Sequence, residues 1–141
     1  MTEAELQMQV ADYLRLQYPN VIFHSDFGSG IKLTMGQAIK QKRQNGGRRA
    51  WPDMIIAEPE LRRVNDSWDS VWHGLFIELK KEGTRLKKKD GEWASDHLKE
   101  QFELLDQLEF RGYAATFAVG FDETKKVIDD YLGGRYEHSL Y

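Results

Sequence analysis

The stretch Gly74-Leu-Phe-Ile-Glu-Leu-Lys80 constrains this chain more than any other. Side chains alternate across a strand, so Leu75, Ile77 and Leu79 share one wholly apolar face while Phe76, Glu78 and Lys80 share the other. The apolar face requires a covering layer, and a carboxylate projecting beside an ammonium requires partners for both. Asp53-Met-Ile-Ile-Ala57 reads as the antiparallel hairpin partner of this strand, with Asp53 at its mouth directly after Pro52. A second carboxylate therefore reaches the spot held by Glu78. Two converging carboxylates without a Cys or His cluster make an oxygen-rich site, suited to Mg²⁺ or Mn²⁺ in preference to Zn²⁺.

The rest of the chain supplies elements to build around that pair. Residues 2–17 read as a helix with Leu6, Val10, Tyr13, Leu14 and Gln17 at helical spacing. Thr2 and Glu5 have the spacing of a capping box, which accounts for Glu5 locally. Glu3 falls in the middle of the arc defined by Leu6, Val10 and Leu14, where a carboxylate needs a partner. Two readings of Glu3 stay open, a ligand of the acidic site or a solvated first-turn acid favoured by the helix dipole. Val21-Ile22-Phe23 reads as a short buried strand, followed by a Gly28-Ser-Gly30 turn. A polar helix over residues 34–45 is closed by Gly46-Gly47.

Residues 58–72 interrupt the two strands as an extended hairpin loop, where Trp68 and Trp72 read as packing residues, with stacking on a base as the alternative. Residues 81–91 read as a flexible basic loop. A helix follows over residues 95–111, with Leu98, Phe102, Leu105 and Leu108 as its apolar stripe and Gly112 as its stop. Gln101 points inward with that stripe and must hydrogen-bond, either to backbone or to the acidic site. Residues 113–119 form a strand apolar on both faces, hence central or covered. A last helix runs from Asp122 to Leu132, and the tail 133–141 packs on a partner subunit or frays.

Several function classes drop out. The chain has no cysteine, which removes disulfides, thiolate catalysis and Cys-type zinc sites and fits a reducing cytoplasm. His24, His73, His97 and His138 are scattered without metal-ligand spacing and read as bystanders. No Gly-rich phosphate loop with Lys-Ser/Thr is present, so a nucleotide-driven motor is excluded. The start of the chain is charged and amphipathic, unlike a signal peptide, and no apolar run approaches the roughly 20 residues of a membrane span. The expectation is one soluble cytoplasmic domain over residues 1–141.

Net charge is −3, yet the basic residues are clustered. Residues 31–50 hold Lys32, Lys40, Lys42, Arg43, Arg48 and Arg49 with no acid, and residues 80–90 hold Lys80, Lys81, Arg85, Lys87, Lys88 and Lys89 against Glu82 and Asp90. These runs flank the acidic pair in sequence, and they read as a phosphate-backbone contact surface or, more simply, as solvated faces. From Glu92 onward acids outnumber bases, so that surface should face away from a polyanion.

Pro52-Asp53 followed by Glu78-Leu79-Lys80 resembles the signature of PD-(D/E)XK nucleases. Gly46-Gly47, His73 to Lys80, Gln101 and Gly112-Tyr113, in that order, resemble the VRR-NUC branch of that superfamily, and Thr2-Glu3-Ala4-Glu5-Leu6-Gln7 matches its opening phrase with Glu3 in register. Trp51 stands where the family more often has a small residue. The resemblance implies an α/β restriction-endonuclease-like core, a central mixed sheet flanked by helices in αβββαβ order. To that core the chain adds a basic helix and loop at 32–49, a hairpin insertion at 58–73 and the tail 133–141. It implies a Mg²⁺- or Mn²⁺-dependent endodeoxyribonuclease with Asp53, Glu78, the Leu79 backbone carbonyl and Glu3 around the metal. Lys80 would orient water and stabilise the phosphorane, and Gln101 would position Lys80 or the water. Small stand-alone members of the family further imply a phage-encoded homodimer acting on branched DNA such as Holliday junctions, in a bacterial host's cytoplasm. The alternative is a catalytically inactive DNA-binding or protein-interaction module of a replication or repair assembly that keeps the fold.

Overall fold

A computed structural model describes residues 1–26 and 32–138. The first helix, α1 (Glu3–Gln17), starts at Thr2, whose hydroxyl accepts from the Glu5 N–H while the Glu5 carboxylate accepts from the Thr2 N–H. Leu6, Val10 and Leu14 form its buried stripe. Strand β1 (Phe23–Ser25) pairs antiparallel with β2 (Met54–Ile56), and between them lies the helix α2 (Met35–Gln44). A separate two-stranded sheet follows, β3 (Glu60–Val64) with β4 (Ser67–Trp72). Strand β5 (Leu75–Lys80) returns beside β2 and, through the crossover helix α3 (Asp96–Phe110), leads to the parallel strand β6 (Ala114–Val119). The last helix is α4 (Gly120–Leu132). The main sheet has the order β1-β2-β5-β6.

Alternation along β5 sets the layers. Leu75, Ile77 and Leu79 bury against Leu6, Val10 and Leu14 of α1 and Ile128 and Tyr131 of α4. On the other face Phe76, Ala115 and Phe117 meet Leu98, Leu104, Leu105 and Leu108 of α3. Strand β6 feeds side chains to both cores, which is why it reads as apolar throughout although it lies at the sheet edge. Gly112 lets α3 stop: its φ of 94° is open to glycine, and a Cβ there would stand 2.6 Å from the His73 ring. Stripped of α2, the β3–β4 hairpin and α4, the order is αβββαβ, the restriction-endonuclease-like arrangement expected from the sequence. Among the described residues no helix is long and apolar enough to cross a membrane.

Several local expectations need correction. The first strand begins at Phe23, two residues late, and is only partly buried, while Ile22 before it is 73% exposed. The last helix begins at Gly120 directly after β6, without an intervening loop. Residues 81–91 are no free loop. Leu86 is buried in the α3-side core, the Ala94 N–H donates to the Leu86 carbonyl, and Lys87 pairs with Trp93 while its ammonium sits over the Trp93 ring. The tail folds back as well, burying Tyr136 between Trp72 and Tyr131. The two hairpin tryptophans part company, since Trp72 packs on Tyr136 while Trp68 is 64% exposed. The Gly28-Ser-Gly30 turn lies outside the described residues.

Candidate active site

Because β2 ends before β5 does, the β5 edge from Glu78 to Lys80 has no strand beside it on that side. Asp53, one residue before β2, fills the place: its Oδ2 accepts the Leu79 N–H at 2.8 Å. In an extended chain a residue's N–H and C=O face the same neighbour, so the Leu79 carbonyl also turns toward Asp53. The Asp53 backbone carbonyl takes the Asp26 N–H at 2.7 Å, tying the end of β1 to the same corner.

Glu78 projects from the α3 face and is only 4% exposed, with Lys80 at 8% and Gln101 at 5%. The Gln101 side-chain amide donates to Glu78 Oε1 at 2.8 Å, and Lys80 Nζ stands 3.7 Å from the same oxygen. Glu78 Oε2 has no hydrogen-bond donor, and neither has Gln101 Oε1 a donor of its own. Burial pushes the Glu78 carboxyl well above the usual carboxylate range, and the nearby Asp53 charge pushes it further against the pull of Lys80. Burial raises Asp53 too, with the Leu79 N–H opposing. The Lys80 ammonium acts on both carboxyls against that rise. Glu3, half-buried at the start of α1, adds its field to both. These five residues line one cleft of about 600 Å³. Among the described residues no three His, Cys, Asp or Glu side chains close into a ready-made metal cluster, so a cation here would need main-chain or water oxygens to complete its shell.

Neither protein-family models nor curated proteins give a match to the sequence. Among solved structures, a chain described as a VRR_NUC domain protein superposes with a TM-score of 0.61 over 94% of this chain and 89% of its own length, at 25% identity. The chain folds as a VRR-NUC domain. That fold belongs to a family of nuclease domains.

The VRR-NUC domain brings Glu3, Asp53, Glu78, Lys80 and Gln101 to a single cleft and separates Glu3 from Glu5, which is spent on the helix cap. Gln101 contacts the Glu78 carboxylate directly, where the sequence suggested Lys80 or a water. The basic runs divide. Lys42, Arg48 and Arg49 line the cleft. Lys32, Lys40 and Arg43 are exposed and, like Lys81, Arg85, Lys87, Lys88 and Lys89, do not line it. Trp51 does both things open to it, lining the cleft and resting 6.3 Å from the Phe76 ring.

Two cleft residues were passed over in the sequence. His97 lines the cleft one helical turn before Gln101, so the inward reading of Gln101 carried the i, i+4 signal that would have found it. Asp26 lines it from the end of β1, and only the tertiary bond to Asp53 reveals that. Of the remaining histidines, His73 lies against Tyr113, His138 pairs with Glu109, and His24 is exposed on β1.

Proposed function

We propose that this VRR-NUC domain is a divalent-metal-dependent endodeoxyribonuclease that hydrolyses phosphodiester bonds, acting on branched DNA such as Holliday junctions. The observation that carries the reading is that half-buried Asp53 and buried Glu78 line one cleft, with Glu78 Oε2 lacking any donor. Hard oxygens fit Mg²⁺ or Mn²⁺ and nothing softer. Asp53, Glu78 and the Leu79 carbonyl would hold the ion, with Glu3 reaching it directly or through water. Bound there, the ion supplies a water of lowered pKa and charge to offset that building on the phosphoryl oxygens.

The protein's own groups do the rest. Gln101 and Lys80 both engage Glu78 Oε1, which holds the carboxylate and leaves Oε2 without a donor. Lys80 presents its ammonium at the cleft, where it can orient a water and bind a phosphoryl oxygen. Lys42, Arg48 and Arg49 stand where a phosphate chain would enter. The proposal extends to a single domain over residues 1–141 working in the cytoplasm, in a bacterial host if phage-encoded. It also extends to a symmetric homodimer, because a twofold axis presents one site to each of two strands of opposite polarity.

The test is a cleavage panel of Holliday junction, flap, splayed arm and linear duplex with Mg²⁺ or Mn²⁺, beside a measurement of solution mass. Cutting of branched substrates by the wild type and not by Asp53→Asn supports the reading. Tight binding with no cut under either metal rejects it in favour of a non-catalytic binding module.

A further inference from the structure

Helix α2 is anomalous. It has 10 residues and none of them is buried. An isolated helix shorter than about 12 residues is marginal in water, and most helices in proteins owe their stability to a packed apolar face. Both ends of α2 are satisfied locally. Thr34 and Gln37 form a capping box, and the Gly47 N–H donates to the Lys42 carbonyl at 2.8 Å. What it lacks is a partner for Met35 and Ile39, which are 82% and 63% exposed and stand four residues apart on one stripe. Ile39 lines the cleft of Asp53 and Glu78, and Met35 lies one helical turn before it.

The surroundings identify the occupant by charge. From Lys32 to Ala50 there is no acid, and Lys40, Lys42 and Arg43 flank the stripe on the same helix. A protein partner for this face would have to be strongly acidic, whereas a polyanion continuing from the cleft meets it without further assumption. In a linear duplex a branched aliphatic or a thioether reaches a base face only by prising a base step apart, at a cost of about a few kcal/mol, whereas a base face already uncovered carries no such cost. Base faces are uncovered at junctions, flaps and gaps.

We infer that Met35 and Ile39 form an apolar wedge, carried on the basic helix α2, that packs against an unstacked base beside the scissile phosphate and selects branched over linear DNA. The inference rests on the nuclease reading for the position of the scissile phosphate and not for the base contact itself. Binding brings α2 the packed face it lacks.

The experiment uses the full chain with Ca²⁺ in place of the reactive metal. It measures affinity for a splayed-arm DNA carrying 2-aminopurine at the branch and for a linear duplex of the same sequence. Met35→Gln with Ile39→Gln keeps helix-forming residues at both exposed positions, so the fold is not at stake. Wild type should raise the 2-aminopurine fluorescence and favour the branched form by about tenfold or more, the scale of the unstacking cost a linear duplex imposes. The double variant should lose the fluorescence rise and bring the ratio below about twofold. Retention of either signal in the double variant, or a wild type indifferent to branching, overturns the inference. So does a DNA-free dimer that the double variant dissociates, since the stripe would then cover a second copy. A protein that shows the fluorescence rise yet cuts nothing with any metal leaves the wedge standing and defeats the nuclease reading.

Discussion

Asp53 accepts the Leu79 N–H at 2.8 Å, so a side chain occupies the stretch of β5 edge that a neighbouring strand would otherwise cover. This bond both satisfies the edge and holds the carboxylate in the cleft that Glu78 also lines. Asp53→Asn keeps an oxygen for the Leu79 N–H and removes only the charge. It should therefore melt no lower than wild type in EDTA, while cleavage falls by about a thousandfold or more. A bound metal contributes several kcal/mol to such a transition state, and each ~1.4 kcal/mol is a decade. Melting curves and single-turnover cleavage on one preparation check both halves.

Gln101 is the only side-chain hydrogen-bond donor recorded at Glu78 among the described residues. Gln101→Ala should weaken Mn²⁺ binding by about 10- to 100-fold, the range for losing a group that orients a ligand. Gln101→Glu should do worse, because it sets a third carboxylate against two whose charges already oppose each other. Isothermal titration with Mn²⁺ separates the two variants.

Stability without metal should fall as pH rises. Burial raises Asp53 and Glu78 above the ordinary carboxylate range, so the folded chain keeps protons that the unfolded chain releases above about pH 4.3. The contribution is full below the unfolded pKa and is lost as pH climbs through the folded ones. In EDTA the melting midpoint should drop across that window, and more steeply for wild type than for Asp53→Asn. Mg²⁺ or Mn²⁺ should raise the midpoint at pH 7 by binding the folded state, and raise it less at pH 5, where protons compete. A midpoint at pH 7 indifferent to either cation contradicts this.

The two hairpin tryptophans should respond differently. Trp72 packs edge-on to Tyr136 at 5.9 Å, and its truncation to Ala should cost about 3 kcal/mol. Trp68→Ser, on the exposed part of β4, should change stability by less than about 0.5 kcal/mol. Urea titration of both variants measures this directly.

How far the sequence could be read follows from what each feature depends on. Strand β5, the inward Gln101 and the Glu3–Glu5 distinction were legible because each is set by local periodicity, two residues per repeat in the strand and 3.6 in the helices. The β2–β5 pairing followed from two apolar runs that needed each other. Other features depend on contacts distant in sequence. Leu86 anchors the basic loop only because α3 covers it, and Tyr136 turns the tail inward only because Trp72 and Tyr131 leave room for it. Trp68 and Trp72 share one strand and one chemistry, and nothing local tells which of them has a core beneath it. The exposure of Met35 and Ile39 was equally hidden, since apolar residues on a helix ordinarily signal a buried face.

The central claim is that Asp53, Glu78 and the Leu79 carbonyl together grip a hard dication. Anomalous diffraction from crystals soaked in Mn²⁺ tests it most directly. The account predicts one peak within coordination distance of both carboxylates and that carbonyl, absent in Asp53→Asn crystals soaked alike. A manganese peak elsewhere on the chain with none at this cleft, or Asp53 and Glu78 swung apart toward different surfaces, would contradict it.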